Sequence, residues 1–132
     1  MRIVGMIIKD DKILLMRRIK DGREYYVFTG GSIENNETEE EALKREIKEE
    51  ANLSIVEAER LFEIENQGRQ EVYYLITEFA GTPEIKSPEK ERMSQQNQYY
   101  LEWTKLSVIK EFNNLYPKEA INKLLEGLNL TE

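Results

Sequence analysis

The sequence contains neither cysteine nor histidine. Without cysteine it forms no disulfide, no thiolate zinc site and no iron–sulfur cluster, and it has no cysteine nucleophile. Without histidine, triads of the serine–histidine–aspartate type and imidazole general bases are excluded too. Positive charge is also in short supply: 19 Lys and Arg face 26 Asp and Glu, a net charge of −7. That argues against a general grip on nucleic-acid polymers, which needs a basic footprint. It leaves nucleotides open as substrates, because divalent cations bridge acidic protein to phosphate. No apolar run approaches the length of a membrane span. The start, Met1-Arg2-Ile3-Val4, lacks the apolar stretch and cleavage site of a secretion signal. The expectation is a cytoplasmic protein with no membrane partner. Any acid–base or metal chemistry falls to carboxylates.

With 132 residues, 39% of them hydrophobic, the chain is long enough for one domain over residues 1–132, with a core of its own. Ile3–Ile8 and Lys12–Arg18 read as strands of a hairpin around Lys9-Asp10-Asp11, and Glu24–Phe28 as a third strand ended by Gly30-Gly31. Thr38 to Ala51 is the clearest helix, with a capping box from Thr38 and Glu41 and acids in its first turn. Its spacing pairs Glu40 with Lys44 and Glu41 with Arg45. Ile55–Ile64 and Glu71–Phe79 form a second hairpin around Asn66-Gln67-Gly68-Arg69. Thr82–Gln98 reads as a long loop, Tyr99–Leu106 as a strand and Ser107–Asn113 as a short helical turn. A final helix runs from Pro117 to about Glu126. The fold class is α/β of the α+β kind.

Between Glu34 and Glu50 stand eight glutamates. Charge runs are usually solvated faces, so spacing must decide. At about 100° per residue, Glu46, Glu49 and Glu50 share one arc of roughly 100°, flanked by Leu43 and Ile47, with Lys44 and Lys48 opposite. Three carboxylates therefore border the face that packs inward. Each like-charge pair costs on the order of 0.2–0.5 kcal/mol, and desolvation adds more unless cations lie between them. Oxygen-only ligands of this kind suit magnesium or manganese rather than zinc.

The stretch Gly31, five residues, Glu37, seven residues, then Arg45-Glu46-Ile47-Lys48-Glu49-Glu50-Ala51-Asn52-Leu53 resembles the signature of the Nudix hydrolase family, in its MutT-like form. One fixed position departs: Asn52 stands where the family has glycine, at the end of the helix. Asn tolerates the left-handed conformation a helix cap needs there, so the expected cost is small and the site intact. A softer departure is Thr29, where many relatives carry proline.

The resemblance implies an α/β/α sandwich with a mixed sheet and a loop–helix–loop motif. It implies Mg2+-dependent hydrolysis of a diphosphate linkage in a nucleoside diphosphate joined to another moiety, with Mn2+ a substitute. By position, Glu49 and Glu50 are metal ligands, Glu46 is a ligand or the general base, and the Gly31 carbonyl joins the coordination. Glu37 and Arg45 form an ion pair tying loop to helix, and Glu34 lies near the site. A further glutamate from a later loop has Glu89 and Glu91 as candidates, Glu89 preferred. Outside the motif, Arg17, Arg18 and Arg23 are candidates for phosphate contacts. Tyr26 and the neighbouring aromatics Tyr25, Phe28, Tyr99, Tyr100 and Trp103 could stack on a base or fill the core. The favoured substrate is a small nucleotide such as a nucleoside triphosphate. Nucleotide sugars, dinucleotides and a non-catalytic nucleotide sensor are the alternatives. Dimers are common among similar proteins, so a homodimer stays open.

Overall fold

The computed structural model describes residues 1–85 and 93–128. In chain order the elements are β1 (Arg2–Lys9), β2 (Lys12–Lys20), β3 (Arg23–Val27), β4 (Thr29–Ser32), α1 (Glu39–Ala51), β5 (Ser54–Asn66), β6 (Arg69–Ala80), β7 (Asn97–Lys105), α2 (Leu106–Ile109), β8 (Leu115–Tyr116) and α3 (Lys118–Gly127). The hairpin turns are where the sequence puts them. Asp10 adopts φ 59°, while Gln67 and Gly68 adopt 54° and 77°, the paired left-handed residues of a tight hairpin.

The alternation of apolar residues along β1 explains the layering. Val4, Met6 and Ile8 face one core with Ile13, Leu15, Tyr73 and the buried residues of α2 and α3. Ile3 and Ile7 face the other, with Leu14, Val72, Ile76 and the Leu43 and Ile47 of α1. Burying a side chain of that size contributes roughly 1.5–3 kcal/mol, so α1 is held chiefly by Leu43 and Ile47 and not by its charges. Gly5 leaves room for this packing: a methyl group there would lie 2.7 Å from Ile76 Cδ1 and 2.8 Å from Ile47 Cδ1. At its N-terminus α1 is tied down by Glu39, which accepts from Tyr74 Oη at 2.8 Å and from Arg60 Nε at 3.0 Å.

The sheet is mixed. β1 runs parallel to β6 and antiparallel to β4. β2 pairs antiparallel with β3 and β7, and β8 adds to β3 in parallel. β1 and β2 share only the pairs Ile8↔Ile13 and Lys9↔Lys12. Beyond those pairs they separate, each taking other partners, and a cleft opens between the two halves of the sheet.

Four details differ from the sequence reading. Gly30-Gly31 does not simply end a strand; it forms the middle of β4, paired with Val4 and Ile3. Strand β7 begins at Asn97 because an Ser94↔Asn97 bridge closes a short turn before it, so the loop after Thr82 ends earlier. β8, only two residues long, is too short to leave a pattern. Finally, Glu41 and Arg45 do not pair with each other. The Glu41 carboxylate accepts from the Thr38 amide at 2.8 Å, closing the capping box, and Arg45 turns toward the preceding loop.

Candidate active site

Arg45 organises the loop–helix junction. Its Nε and Nη2 donate to the two oxygens of Glu37 at 2.6 and 2.9 Å, the forked geometry that suits a guanidinium. Nη1 donates to Glu46 at 2.8 Å and to Glu49 at 3.2 Å, and Nη2 reaches the Ser32 carbonyl at 3.0 Å. Glu34 stands farther out, 3.7 Å from Nε, while its amide donates to Glu37 Oε1 at 2.8 Å. The loop of residues 33–38 is thus drawn onto the helix through one cation. The Arg45 hydrogen bonds, assisted by the Glu34 amide, hold the Glu37 carboxyl down at about 2 from an ordinary 4.5.

The sign of that shift gives a pH prediction. The folded state prefers Glu37 ionised, so its contribution is complete above the unfolded value near 4.5 and is lost as pH falls through about 2. The stability gap between wild type and Glu37→Gln should stay constant from neutral pH to about 4.5 and close between there and about 2. Urea denaturation across that range checks it; a gap independent of pH would dissociate Glu37 from the ion pair.

Two glutamates lie over the β4 turn. Glu50 Oε1 accepts the Gly30 amide at 3.1 Å. The Glu46 carboxylate covers Gly31 so closely that a methyl group on that glycine would meet Oε1 at 2.6 Å. A side chain there would push the Glu46 carboxylate off the strand. Glu46 is largely sheltered, its side chain 14% exposed, and Glu49 is outward at 61%. The sequence arc is therefore real but graded, with Glu46 inward and Glu49 on the rim. Among the described residues no three carboxylates stand close enough to hold a metal ion as placed, since Arg45 engages an oxygen of Glu46 and one of Glu49. The donor chemistry still fits a hard divalent cation: carboxylates and backbone carbonyls are at hand, and histidine and cysteine are lacking throughout the chain.

The cleft between the two halves of the sheet has a volume of about 310 Å3. Arg2, Val4, Glu71 and Tyr73 line it from β1 and β6, Arg18 and Tyr25 from β2 and β3. Ser32 joins the two sites. Its carbonyl accepts from Arg45, and its hydroxyl accepts from Arg69 Nη2 at 2.6 Å, Arg69 being itself part of the cleft wall.

Comparison with known proteins places this geometry. The NUDIX domain pattern matches residues 1–121. The chain belongs to the Nudix family. It is 29% identical over 124 residues to the 8-oxo-dGTP diphosphatase of Buchnera aphidicola subsp. Schizaphis graminum (strain Sg), covering 90% of this chain and 87% of that protein. A MutT structure from work on the Aliivibrio salmonicida and Vibrio cholerae proteins superposes with a TM-score of 0.74 at 19% identity, covering 96% of both chains. A MutT NUDIX hydrolase from Burkholderia pseudomallei superposes at 0.65 with 25% identity, covering 80% of this chain and 81% of that one. The protein is therefore a Nudix hydrolase, an enzyme of pyrophosphate bonds in nucleoside diphosphate derivatives, in a family that generally uses divalent metals.

Placed on this Nudix fold, the expected residues separate from one another. Glu37, Arg45, Glu46, Glu49, Glu50 and Gly31 gather at the junction of β4 and α1, and Asn52 caps the helix in the left-handed conformation at φ 62°. Arg18 lies in the cleft. Arg17 and Tyr26 belong to a different cluster, since successive residues of β2 point to opposite faces. Arg17 Nε donates to Glu102 at 2.7 Å and Nη1 to Glu24 at 3.1 Å, and its guanidinium covers the Tyr100 ring at 4.4 Å. Tyr26 packs against Phe112, with ring centroids 5.0 Å apart. Arg23 sits over Tyr25, 5.5 Å from the ring centre. Glu89 and Glu91 lie outside the described residues. Sequence reasoning missed Arg2, Asn66, Arg69 and Glu71. Only Glu71 left a signal, as a carboxylate opening an otherwise apolar strand, Val72 to Ile76. Among the described residues, no helix is long and apolar enough to cross a membrane.

Proposed function

We propose that this Nudix hydrolase converts a nucleoside triphosphate, with magnesium, to the monophosphate and pyrophosphate. The observation that carries the reading is the link between the cleft and the carboxylate cluster through Ser32, which accepts from Arg45 on one side and from Arg69 of the cleft wall on the other. A base and sugar held in the cleft would leave the phosphates to pass the β4 turn toward Glu46 and Glu50. The 8-oxo-dGTP diphosphatase named above supports an oxidised purine triphosphate as one member of the substrate class. A cytoplasmic setting, where such nucleotides are abundant, fits that activity.

In this reading Glu49, Glu50 and the Gly31 carbonyl would hold the cation, and Glu46 would act as the base. Once bound, it would supply Lewis acidity to the diphosphate oxygens and lower the pKa of a water. The chain's own residues do the rest. Arg45 fixes Glu46 and Glu49 against the loop. Glu46, sheltered over Gly31, is positioned to accept a proton from the attacking water. The Gly30 amide orients Glu50. Arg18 offers a guanidinium to an anionic or carbonyl oxygen in the cleft. Water adds to one phosphorus, the bridging oxygen between the α and β phosphates departs, and its proton balance is met by the carboxylate.

A nucleotide panel tests this. Triphosphates, nucleotide sugars and dinucleotides are incubated with magnesium or manganese, and the released species are identified. The expected result is monophosphate and pyrophosphate from a triphosphate, at least about tenfold faster than any release from sugars or dinucleotides, a margin of the size a binding pocket supplies. Tight nucleotide binding without turnover would instead indicate a sensor.

A further inference from the structure

Away from the carboxylate cluster, the first half of α1 and the start of β5 frame a second groove, with a volume of about 510 Å3. Leu43 of α1 and Ile55, Val56 and Ala58 of β5 give it apolar walls. Val56 stands 61% exposed, a branched apolar side chain that the fold leaves in water. The rim is charged, with Glu40, Glu57 and Glu59 against Lys44. The exposed Glu57 and Glu59 carboxylates make no ion pair or hydrogen bond among the described residues. Arg60, the next cation along the strand, is already engaged by Glu39 at 3.0 Å and by Glu63 at 2.8 Å. The groove therefore joins apolar surface to negative charge that the fold leaves unbalanced.

Strand β5 is also an edge, paired with β6 alone among the described strands. An edge presents unpaired backbone groups to other chains, so its character says which chain fits. A second copy of this protein fits poorly. Two β5 strands side by side would bring together the Glu57, Glu59, Glu63 and Glu65 of each, with Arg60 already engaged. A long added strand fits poorly too, because the register to β6 shifts between Ile55 and Glu57 and again between Glu57 and Ala58. Such bulges interrupt a ladder where it would have to continue. What remains is a short segment with apolar side chains for the walls and positive charge for the rim.

We infer that the groove between α1 and β5 docks a short extended segment of a partner protein in which basic residues alternate with apolar ones. The apolar side chains seat against Leu43, Ile55 and Val56 and supply the affinity. Lysine and arginine carry long apolar stems, so their heads reach back to Glu40, Glu57 and Glu59 on the rim. Exposed ion pairs contribute little affinity by themselves, and their part here is to choose the partner and speed its approach. No residue of the carboxylate cluster lines the groove, so a docked segment leaves the hydrolytic site open.

The test is calorimetric titration of the full chain, in EDTA and without nucleotide, with the blocked peptide Lys-Leu-Lys-Leu-Lys. Two peptides of the same length, Lys-Ser-Lys-Ser-Lys and Glu-Leu-Glu-Leu-Glu, remove the apolar part and reverse the charge. The first peptide is expected to bind one to one, at least about tenfold more tightly than either of the others. Val56→Asp, and Glu57→Lys combined with Glu59→Lys, should each weaken it by at least about tenfold. Glu65→Lys, on the same strand but outside the groove, should change it by less than about twofold. No binding, equal binding of the serine peptide, or an equal loss in Glu65→Lys would each overturn the inference, the last two by reducing it to general acidity. A wild-type dimer in sedimentation that Val56→Asp dissociates would overturn it as well, by giving the groove to a second copy. The peptide comparison on the wild-type chain decides even if a variant does not fold. None of these readouts involves turnover, so the hydrolysis proposal stands or falls separately.

Discussion

Gly30→Ala is expected to lower stability by roughly 3–5 kcal/mol, the sum of backbone strain and overpacking at one position. Gly30 sits in the middle of β4 at φ 156°, paired with Val4 of the central strand. A methyl group there would be driven into the Ile3 carbonyl and would lie 2.8 Å from Val4 Cα. Both obstacles are backbone, and that backbone is held on its other side by the parallel ladder to β6. Neither can step aside as a side chain would. Against a typical total of about 5–15 kcal/mol, the loss is large, and the melting temperature should fall by about 10–15 °C. Gly22→Ala provides the comparison. Its φ of 81° is also unfavourable for alanine, but nothing lies within 4 Å of the added methyl, so only the strain of about 1–2 kcal/mol remains. Thermal melts of the two variants side by side separate steric exclusion from backbone strain. Similar small losses for both would mean that β4 is not packed on β1 as described.

That steric argument also shows how much of the protein the sequence expresses. Helix α1 was legible because three signals agreed there: the Thr38 capping box, the apolar spacing of Ala42, Leu43 and Ile47, and acids in the first turn. The carboxylate arc was legible for the same reason, since helical geometry converts spacing directly into direction. The left-handed cap at Asn52 was legible because the family signature carries glycine at that position, and asparagine tolerates the same conformation. The role of Gly30-Gly31 was not. A glycine pair reads locally as a stop, and only the pairing with Val4 and Ile3, more than twenty-five positions earlier, makes it a strand. The cleft was hidden more deeply. It exists because β1 and β2 share two pairs and then separate, and its wall combines Arg2, Arg18, Asn66 and Glu71 from four different strands. No short-range pattern joins those residues. The same limit misgrouped Arg17 with Arg18: as neighbours they look alike, but the pleat sends one to Glu102 and Tyr100 and the other to Tyr99 and the cleft. Charge, too, becomes local on inspection. Eight acids and three bases between Glu34 and Glu50 give −5 of the total −7, so most of the excess is the site itself.

Glu50→Gln should abolish most of the hydrolysis while the fold persists. The Gly30 amide is satisfied by Glu50 Oε1 at 3.1 Å, and glutamine presents a carbonyl oxygen of the same reach, so that hydrogen bond can be kept. Helix α1 also carries Glu46 four residues earlier, and removing one of two like charges relieves about 0.2–0.5 kcal/mol of repulsion. Stability is therefore expected to change little or rise slightly. The catalytic cost comes from charge and basicity, which the amide lacks. It would weaken cation binding and the support of developing charge on the diphosphate, each of which is typically a matter of two or more powers of ten. The expected outcome is a fall of about 10²–10⁴ in kcat with an unchanged melting curve in the absence of metal. Glu40→Gln, on the outer side of the same helix, serves as the charge-matched control and should retain full activity. Steady-state assays of pyrophosphate release beside thermal melts check both variants. Full turnover in folded Glu50→Gln would remove Glu50 from the site. It would also leave the Gly30 contact as a purely structural cap, and shift the cation-binding role to Glu46 and Glu49, where Arg45 already competes for the oxygens.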